Sequence, residues 1–155
     1  MQMRLDVGVT VDASLETTFQ QWLLFEDYPR FMDGVEDVRR LEDGRLLWQL
    51  DRAGELTERT SRITRQVPNQ LLVWESEAGI VDAVSLTFSP LMDRQTGIQM
   101  QITFDPQDFE GYKGHKGGSL GFLMQRAHAD LARFKDIVEA LCPSRRKVPH
   151  GELVA

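Results

Sequence analysis

The apolar residues of this chain change their spacing for the last time near residue 120, and this change constrains the fold more than any other feature. Between residues 35 and 105 they recur at every second position, which is typical of strands with one buried face. From Leu120 onward they recur at every third or fourth position. The resulting helical face consists of Leu120, Leu123, Met124, Ala127, Leu131, Phe134, Val138 and Leu141, and Pro143 ends it. An antiparallel sheet with one apolar face needs a cover, and this helix is the element long enough to provide it.

The alternating segments predict seven β-strands. They are Arg4–Asp12, Val35–Leu41, Leu46–Asp51, Leu56–Val67, Gln70–Glu77, Ile80–Ser89 and Thr96–Asp105. The Asp-Gly pair at residues 43–44 is a hairpin signal between the second and third strands. After the first strand, Ser14 can cap a short helix whose apolar stripe is Leu15, Phe19, Trp22 and Leu23. Pro29 predicts the first turn of a second short helix.

Length, composition and charge restrict the class of protein. The 155 residues are typical of one domain, which we expect at residues 1–143 with a C-terminal tail at 144–155. A net charge of −6 argues against general nucleic-acid binding. No apolar run approaches the ~20 residues of a transmembrane helix. The single cysteine, Cys142, and the lack of a secretory signal predict a cytoplasmic protein. We expect a monomer or a weak dimer.

Signals for a metal or a cofactor are few, and we predict neither. The spacing of His115, His128 and His150 does not suggest zinc. The glycine-rich stretch GYKGHKGGS, residues 111–119, lacks the order of a phosphate-binding loop and is interpreted as a mobile connection that could gate a cavity. His128 lies on the flank of the apolar helical face. It could act at a cavity rim as an acid or base, and a surface position is the alternative.

Arg59 is the most informative irregularity. Counting back by twos from Ile63 places Ser61 and Arg59 on the face that should point inward. Asp82 is in phase with the apolar positions of a later strand. A polar cluster of Arg59, Ser61, Ser76 and Asp82 against apolar walls would suit a ligand with one polar or anionic head. The alternative is a bulge that turns Arg59 out to solvent.

The remaining candidates for the wall of a cavity are large apolar residues at inward positions. They are Trp48, Trp74, Phe88, Met100, Phe104, Met124 and Leu131. Each is also explained as simple core, and the argument for a cavity is collective, because one helix cannot fill every inward position of a curved sheet. The dense apolar segment at residues 25–32 is either a plug that closes the fold or the lip of the cavity.

Several stretches together resemble the START-like (SRPBCC) superfamily, in particular its bacterial polyketide cyclase/dehydrase branch and its coenzyme Q-binding relatives. They are FEDYPRFMDGVEDV (25–38), GRLLW (44–48), LLVWESEAG (71–79), VSLTFSP (84–90) and DLARFKDIVE (130–139). The resemblance implies an α+β helix-grip fold, in which a seven-stranded antiparallel sheet wraps around the C-terminal helix and encloses a cavity. It also implies two departures, since relatives often have a large apolar residue at Arg59 and glycine at Asp82.

What the resemblance implies about function is broader. Relatives bind sterols, lipids, quinones, plant hormones or polyketide intermediates, and some catalyse cyclisation or dehydration. We predict binding or carrying of a small hydrophobic or amphipathic ligand. One alternative is a cyclase- or dehydratase-type enzyme that uses Arg59 with Asp82 or His128, although no nucleophile–base pair is visible. Another is a module with a filled core that binds a protein partner.

Overall fold

The computed structural model describes residues 2–52, 54–77, 81–92, 94–105 and 118–141. In chain order its elements are β1 (Met3–Val11), α1 (Leu15–Trp22), a 3₁₀ helix (Phe25–Arg30), β2 (Val35–Arg40), β3 (Arg45–Arg52), β4 (Glu55–Val67), β5 (Leu71–Ser76), β6 (Val81–Pro90), β7 (Thr96–Phe104) and α2 (Gly118–Ala140). The seven strands form one antiparallel sheet in the order β1-β7-β6-β5-β4-β3-β2. The predicted α+β helix-grip fold is confirmed.

Alternation along each strand decides which side of the sheet is buried. In β1, the side chains of Leu5, Val7 and Val11 are buried, whereas those of Arg4 and Asp6 between them are exposed. The buried side, here called the inner face, packs against α2, which lies closest to β1. The period of two in the sequence is therefore the burial pattern of a sheet covered on one side.

Helix α2 buries the face that its sequence predicts. The buried apolar side chains of α2 are those of Leu123, Ala127, Leu131, Phe134 and Val138, and Met124 packs against the same core. Leu141 was predicted on this face, but its side chain is 55% exposed because the helix ends at Ala140. The predicted tail, residues 144–155, lies outside the described residues, as do residues 106–117 of the glycine-rich connection.

The segment between β1 and β2 forms one short α-helix and one 3₁₀ helix. Ser14 caps α1, and its Oγ accepts a hydrogen bond from the Thr17 N–H at 3.1 Å. The second helix is a 3₁₀ helix, and Pro29 lies near its end, so the prediction that Pro29 begins a helix was wrong. Proline costs little there, because a 3₁₀ helix of six residues has few internal hydrogen bonds to lose.

A polar clasp joins α2 to the turn that follows the 3₁₀ helix. Arg133 Nε donates to the Phe31 carbonyl oxygen at 2.9 Å, and the Asp33 N–H donates to Asp130 Oδ1 at 3.2 Å. Arg126 donates to the Asp33 carbonyl oxygen. Three side chains of one helix thus hold the main chain of one turn. We call Arg126, Asp130 and Arg133 the α2 clasp.

The end of α2 is fixed to the end of β1 by a second polar contact. Glu139 Oε2 accepts a hydrogen bond from the Asp12 N–H at 2.8 Å and an ion-paired hydrogen bond from Lys135 Nζ at 2.6 Å. The same Lys135 Nζ donates to the Thr10 carbonyl oxygen at 3.2 Å. The buried carboxylate is therefore satisfied, as a buried charge requires.

Replacing Leu131 by alanine should cost about 2–5 kcal/mol of the free energy of unfolding, because the side chain is only 1% exposed and its removal leaves a cavity under α2. Urea unfolding of both proteins measures this difference. Gln125→Ala, at an exposed position of the same helix, is the control and should change stability by less than about 0.5 kcal/mol. A cost for Leu131→Ala as small as that of the control would show that Leu131 borders an existing void.

Asp130 should make stability depend on pH in an unusual direction. Burial raises the pKa of its carboxyl above the usual range, although the Asp33 N–H and the arginines of the clasp oppose this shift. The folded protein therefore binds more protons than the unfolded chain between the unfolded and folded pKa values. As pH falls through this window, the wild type should gain stability relative to Asp130→Asn.

Urea unfolding at about pH 7 and at about pH 4, which is near the ordinary pKa of an aspartate, measures this difference. Asp136→Asn, at an exposed position of α2, serves as the control for general effects of charge. The opposite trend, a wild type that loses stability relative to Asp130→Asn on acidification, would show that the arginines outweigh burial.

Candidate ligand-binding site

The centre of the candidate site is a buried hydrogen bond between β3 and β4. Trp48 Nε1 donates to Ser61 Oγ at 2.8 Å, and both residues are at most 9% exposed. In the sheet register, Trp48 pairs directly with Arg59, and Ser61 is the next residue of β4 on the same face. The sequence predicted both residues to line the interior, and the structure places both on the inner face.

Strand β4 is unusual, because it lies inside the sheet yet buries few side chains. Ser61 is the one buried side chain of β4, while Thr57 and Ile63 on the same face are half-buried. We call Thr57, Arg59, Ser61 and Ile63 the β4 inner row. A strand in the interior of a covered sheet normally has apolar inward positions. The β4 inner row is therefore where the cover of the sheet is least complete.

Arg59 lies on the inner face and is exposed at the same time. The register between β3 and β4 is unbroken from Arg45–Arg62 to Arg52–Glu55, so no bulge turns Arg59 to the other face. Its Nη1 donates to the carbonyl oxygen of the preceding Glu58 at 2.9 Å. The guanidinium is exposed to solvent and has several more donors.

Ser76 extends the polar surface into β5. It pairs with Ser61 in the register and is half-buried. Cross-strand partners of an antiparallel sheet place their Cβ atoms about 4.5–5.5 Å apart on the same face. Three of the four residues of the predicted polar cluster, Arg59, Ser61 and Ser76, therefore lie on neighbouring positions of the inner face.

An aromatic cluster lies beside this polar surface. The ring centroids of Trp48 and Trp74 are 5.8 Å apart, and the Tyr28 ring lies 5.7 Å from Trp48. Trp22 continues the cluster at 6.0 Å from Tyr28 and packs on Phe134 at 4.4 Å. Such contacts between rings stabilise the core beyond the area that they bury. The Phe25–Met32 segment thus contributes to a packed cluster, which favours a plug over a lip.

The phenol of Tyr28 belongs to the structure of this cluster and cannot act as a base. Its hydroxyl donates to the Trp22 carbonyl oxygen at 2.7 Å. Burial raises the pKa of Tyr28 well above its usual value. The phenol therefore stays protonated at neutral pH, and its proton is already donated within the protein.

Comparison with known proteins identifies the family. A family model described as polyketide cyclase/dehydrase and lipid transport matches residues 11–113. The chain belongs to this family. It is 30% identical over 137 residues to an uncharacterized 17.2 kDa protein of Streptomyces lincolnensis, and the match covers 88% of this chain and 89% of that protein.

Solved structures agree with this membership at the level of the fold. The Zhui aromatase/cyclase from a Streptomyces species superimposes with a TM-score of 0.70 and 18% identity, over 90% of this chain and 94% of that one. A START superfamily protein from Mycobacterium smegmatis gives a TM-score of 0.69 and 18% identity, over 89% and 98%. The resemblance to the START-like superfamily is confirmed.

In this member of the polyketide cyclase/dehydrase family, Asp82 does not join the polar cluster. The register between β6 and β7 shifts between Val81 and Ala83, so Asp82 is the extra residue of a bulge. The alternation of inward and outward residues along β6 is interrupted at the bulge by the inserted residue. The position of Asp82 therefore cannot be derived from the buried positions that follow it. Gln2 Nε2 donates to Asp82 Oδ2 at 2.9 Å at the surface, and no ion pair joins the described Arg59 and Asp82.

Among the described residues, no histidine lies at the β4 inner row. His128 is exposed on α2, which agrees with the surface alternative, and His115 and His150 lie outside the described residues. Within the described part of the chain, no group of His, Cys, Asp and Glu side chains could hold a metal ion. In the same part, no helix is long and apolar enough to cross a membrane.

The other predicted lining residues lie within the core. Phe88, Met100, Phe104 and Leu131 are buried, as is Trp74, and Met124 is half-buried against them. Whether any of them contacts a ligand stays a prediction. Sequence reasoning did not include Tyr28, Trp22 or Phe134 among the site residues. Their signal was present, since each is an aromatic residue within an apolar helical segment.

The Trp48–Ser61 hydrogen bond should appear as an energetic coupling. Ser61→Ala leaves a buried indole N–H without a partner and should cost about 1–3 kcal/mol of the free energy of unfolding. Combined with Trp48→Phe, the loss should be smaller than the sum of the two single losses by about 0.5–1.5 kcal/mol. Denaturant unfolding of the four proteins measures the coupling.

Ser76→Ala is the matched control for this cycle, because the Ser76 hydroxyl makes no hydrogen bond with another described residue. Its combination with Trp48→Phe should be additive to within about 0.5 kcal/mol. Equal coupling of Trp48 to both serines would mean that packing, and not the hydrogen bond, links them.

Proposed function

We propose that this protein binds and carries a small hydrophobic or amphipathic molecule, of lipid, quinone or polyketide type, at the inner row of β4. The observation that carries this proposal is the arrangement of Trp48, Ser61 and Arg59 on one face of the sheet. A buried aromatic ring, a buried hydroxyl and an exposed guanidinium are neighbours on this face. An amphiphile likewise combines an apolar part with a polar head.

The binding mode follows from the burial of each group. The apolar part of the ligand would lie against Trp48, Trp74 and Ile63, and each Å² of apolar surface removed from water would contribute about 25 cal/mol. The polar or anionic head would reach Arg59, which remains in water and does not need to be desolvated fully. The half-buried positions of β4 argue against a completely filled core and against a module that binds only a protein partner.

An enzyme of cyclase or dehydratase type is the second candidate. The family description names polyketide cyclases and dehydrases together with lipid transport, and the Zhui structure is that of an aromatase/cyclase. Such chemistry needs a general acid or base at the substrate. Of the described candidates, His128 is exposed, Asp82 contacts Gln2 at the surface, and Tyr28 is held protonated. These positions favour carrying over catalysis.

We infer that the protein is cytoplasmic, that it is a monomer or a weak dimer, and that it does not bind nucleic acid. The acidic net charge of −6 and the single cysteine support this setting.

Native mass spectrometry of the protein purified from its own host tests the proposal. A mass above that of the chain, followed by organic extraction and identification of the bound compound, is the expected result. A mass equal to that of the chain, together with no binding of a dansylated fatty acid in a fluorescence titration, would argue against a carrier. The enzyme and partner-binding alternatives would then gain weight.

Arg59→Leu should weaken binding of an anionic amphiphile by about threefold to tenfold, or about 0.7–1.4 kcal/mol, because it removes the charged donor of the β4 inner row. A fluorescence titration with a dansylated fatty acid measures this loss. The methyl ester of the same compound carries no charge and should bind both proteins equally. The free energy of unfolding should change little, since Arg59 is exposed.

Arg65→Leu is the matched control. Arg65 is an exposed arginine of the same strand, and its register partner Val73 lies between the buried Leu72 and Trp74, so Arg65 points to the outer face. Equal losses for Arg59→Leu and Arg65→Leu would reduce the effect to net charge. No loss for Arg59→Leu would remove Arg59 from the site.

A further inference from the structure

The Ser61 hydroxyl uses only one of its three hydrogen-bonding positions. An indole N–H can only donate, so Ser61 Oγ is the acceptor in its 2.8 Å contact with Trp48. The hydroxyl proton of Ser61 is donated to no other described residue. Ser61 is 1% exposed, so water does not easily replace the missing acceptor. A buried donor without a partner is unfavourable, and natural structures rarely keep one without a reason.

The neighbouring polar groups do not provide this acceptor either. The Arg59 guanidinium, two residues away on the same face, carries only donors. The Ser76 hydroxyl is the register partner of Ser61 and makes no hydrogen bond with it. This part of the inner face therefore offers protons, from Ser61 and Arg59, to whatever occupies it.

We propose that Ser61 is a specificity-determining residue, which donates its hydroxyl proton to a carbonyl or carboxylate oxygen of the ligand. Trp48 acts as a positioning residue, because its N–H occupies the lone-pair side of Ser61 Oγ and directs the hydroxyl proton away from the indole. This inference rests on the proposed function and narrows it. The ligand is an oxo compound, a ketone, quinone or carboxylate, and not a pure hydrocarbon or a molecule that offers only donors.

The expected discrimination follows from the polarity of the site. An apolar pocket distinguishes poorly between shapes of equal size, whereas a buried donor selects against a ligand that lacks the acceptor. One neutral hydrogen bond corresponds to a preference of about threefold to tenfold. An anionic oxygen would add a contribution from Arg59, so a carboxylate and a neutral carbonyl are separable by experiment.

Paired probes of equal shape test the inference. Methyl naphthyl ketone and isopropylnaphthalene have nearly the same size, and only the ketone carries an acceptor. Titration by isothermal calorimetry or ligand-observed NMR gives the ratio of their dissociation constants. Wild type should prefer the ketone by about threefold to tenfold. Ser61→Ala should bring the ratio to about one while the hydrocarbon still binds.

Four further variants separate specificity from general damage, with thermal unfolding confirming that each is folded. Ser61→Thr keeps a hydroxyl and should retain the preference for the ketone, and Ser76→Ala should retain it as well. Trp48→Phe should reduce the preference, because the hydroxyl is then free to turn. Arg59→Leu should keep the ketone ratio but lose affinity for naphthoate, which identifies the carboxylate contribution.

The results that overturn the inference differ from those that overturn the proposed function. If both probes bind and Ser61→Ala keeps the wild-type ratio, the inference is wrong and the carrier proposal stands. If wild type binds both probes equally, Ser61 does not select the ligand. If neither the naphthalene probes nor a dansylated fatty acid bind to wild type, the carrier proposal itself fails, and the inference fails with it.

Discussion

One long helix is too narrow to cover the inner face of seven strands alone, and the rest of the structure depends on which other elements help to cover it. Helix α2 lies closest to β1 at one edge of the sheet. The β2 edge is closed by the 3₁₀ helix, whose aromatic side chains reach Trp48 and Trp74. The α2 clasp then ties the turn after the 3₁₀ helix back to α2. The β4 inner row, between these two covers, is left polar and partly open.

The sequence predicts most of this architecture, because burial of one face of a sheet places apolar residues at every second position of each strand. The observed strand ends differ from the predicted ones by at most one residue. The buried face of α2 was predicted equally well from the helical spacing of its apolar residues. The clasp could not be predicted, since Arg126, Asp130 and Arg133 bind main-chain atoms about a hundred positions earlier, and such contacts leave no periodic pattern in the sequence. Contacts between a side chain and a distant main chain depend on the final packing alone.

The same reasoning explains why the site was predicted in part. Ser61 and Arg59 kept their parity because the register from Arg45 to Arg52 is regular. The face of Asp82 was predicted wrongly because it lies at a bulge, and no residue in the sequence indicates that bulge. Arg59 lies on the predicted inner face and is exposed there without the bulge of the alternative, because the sheet extends beyond its cover. Alternation along a strand determines which face of the sheet a residue lies on. The exposure of its side chain depends on what packs above that face, and those residues are distant in the sequence.

The character of the polar groups distinguishes holding a ligand from transforming it. Ser61 and Arg59 are hydrogen-bond donors on the inner face. The Tyr28 hydroxyl already donates its proton to the Trp22 carbonyl oxygen. Donors can orient and polarise a carbonyl oxygen, but loss of a proton from the neighbouring carbon needs a base nearby. Among the described residues, the carboxylate and imidazole candidates Asp82 and His128 lie at the surface. Polar groups that only donate suit the proposed role of a carrier, because a carrier holds its ligand without changing it.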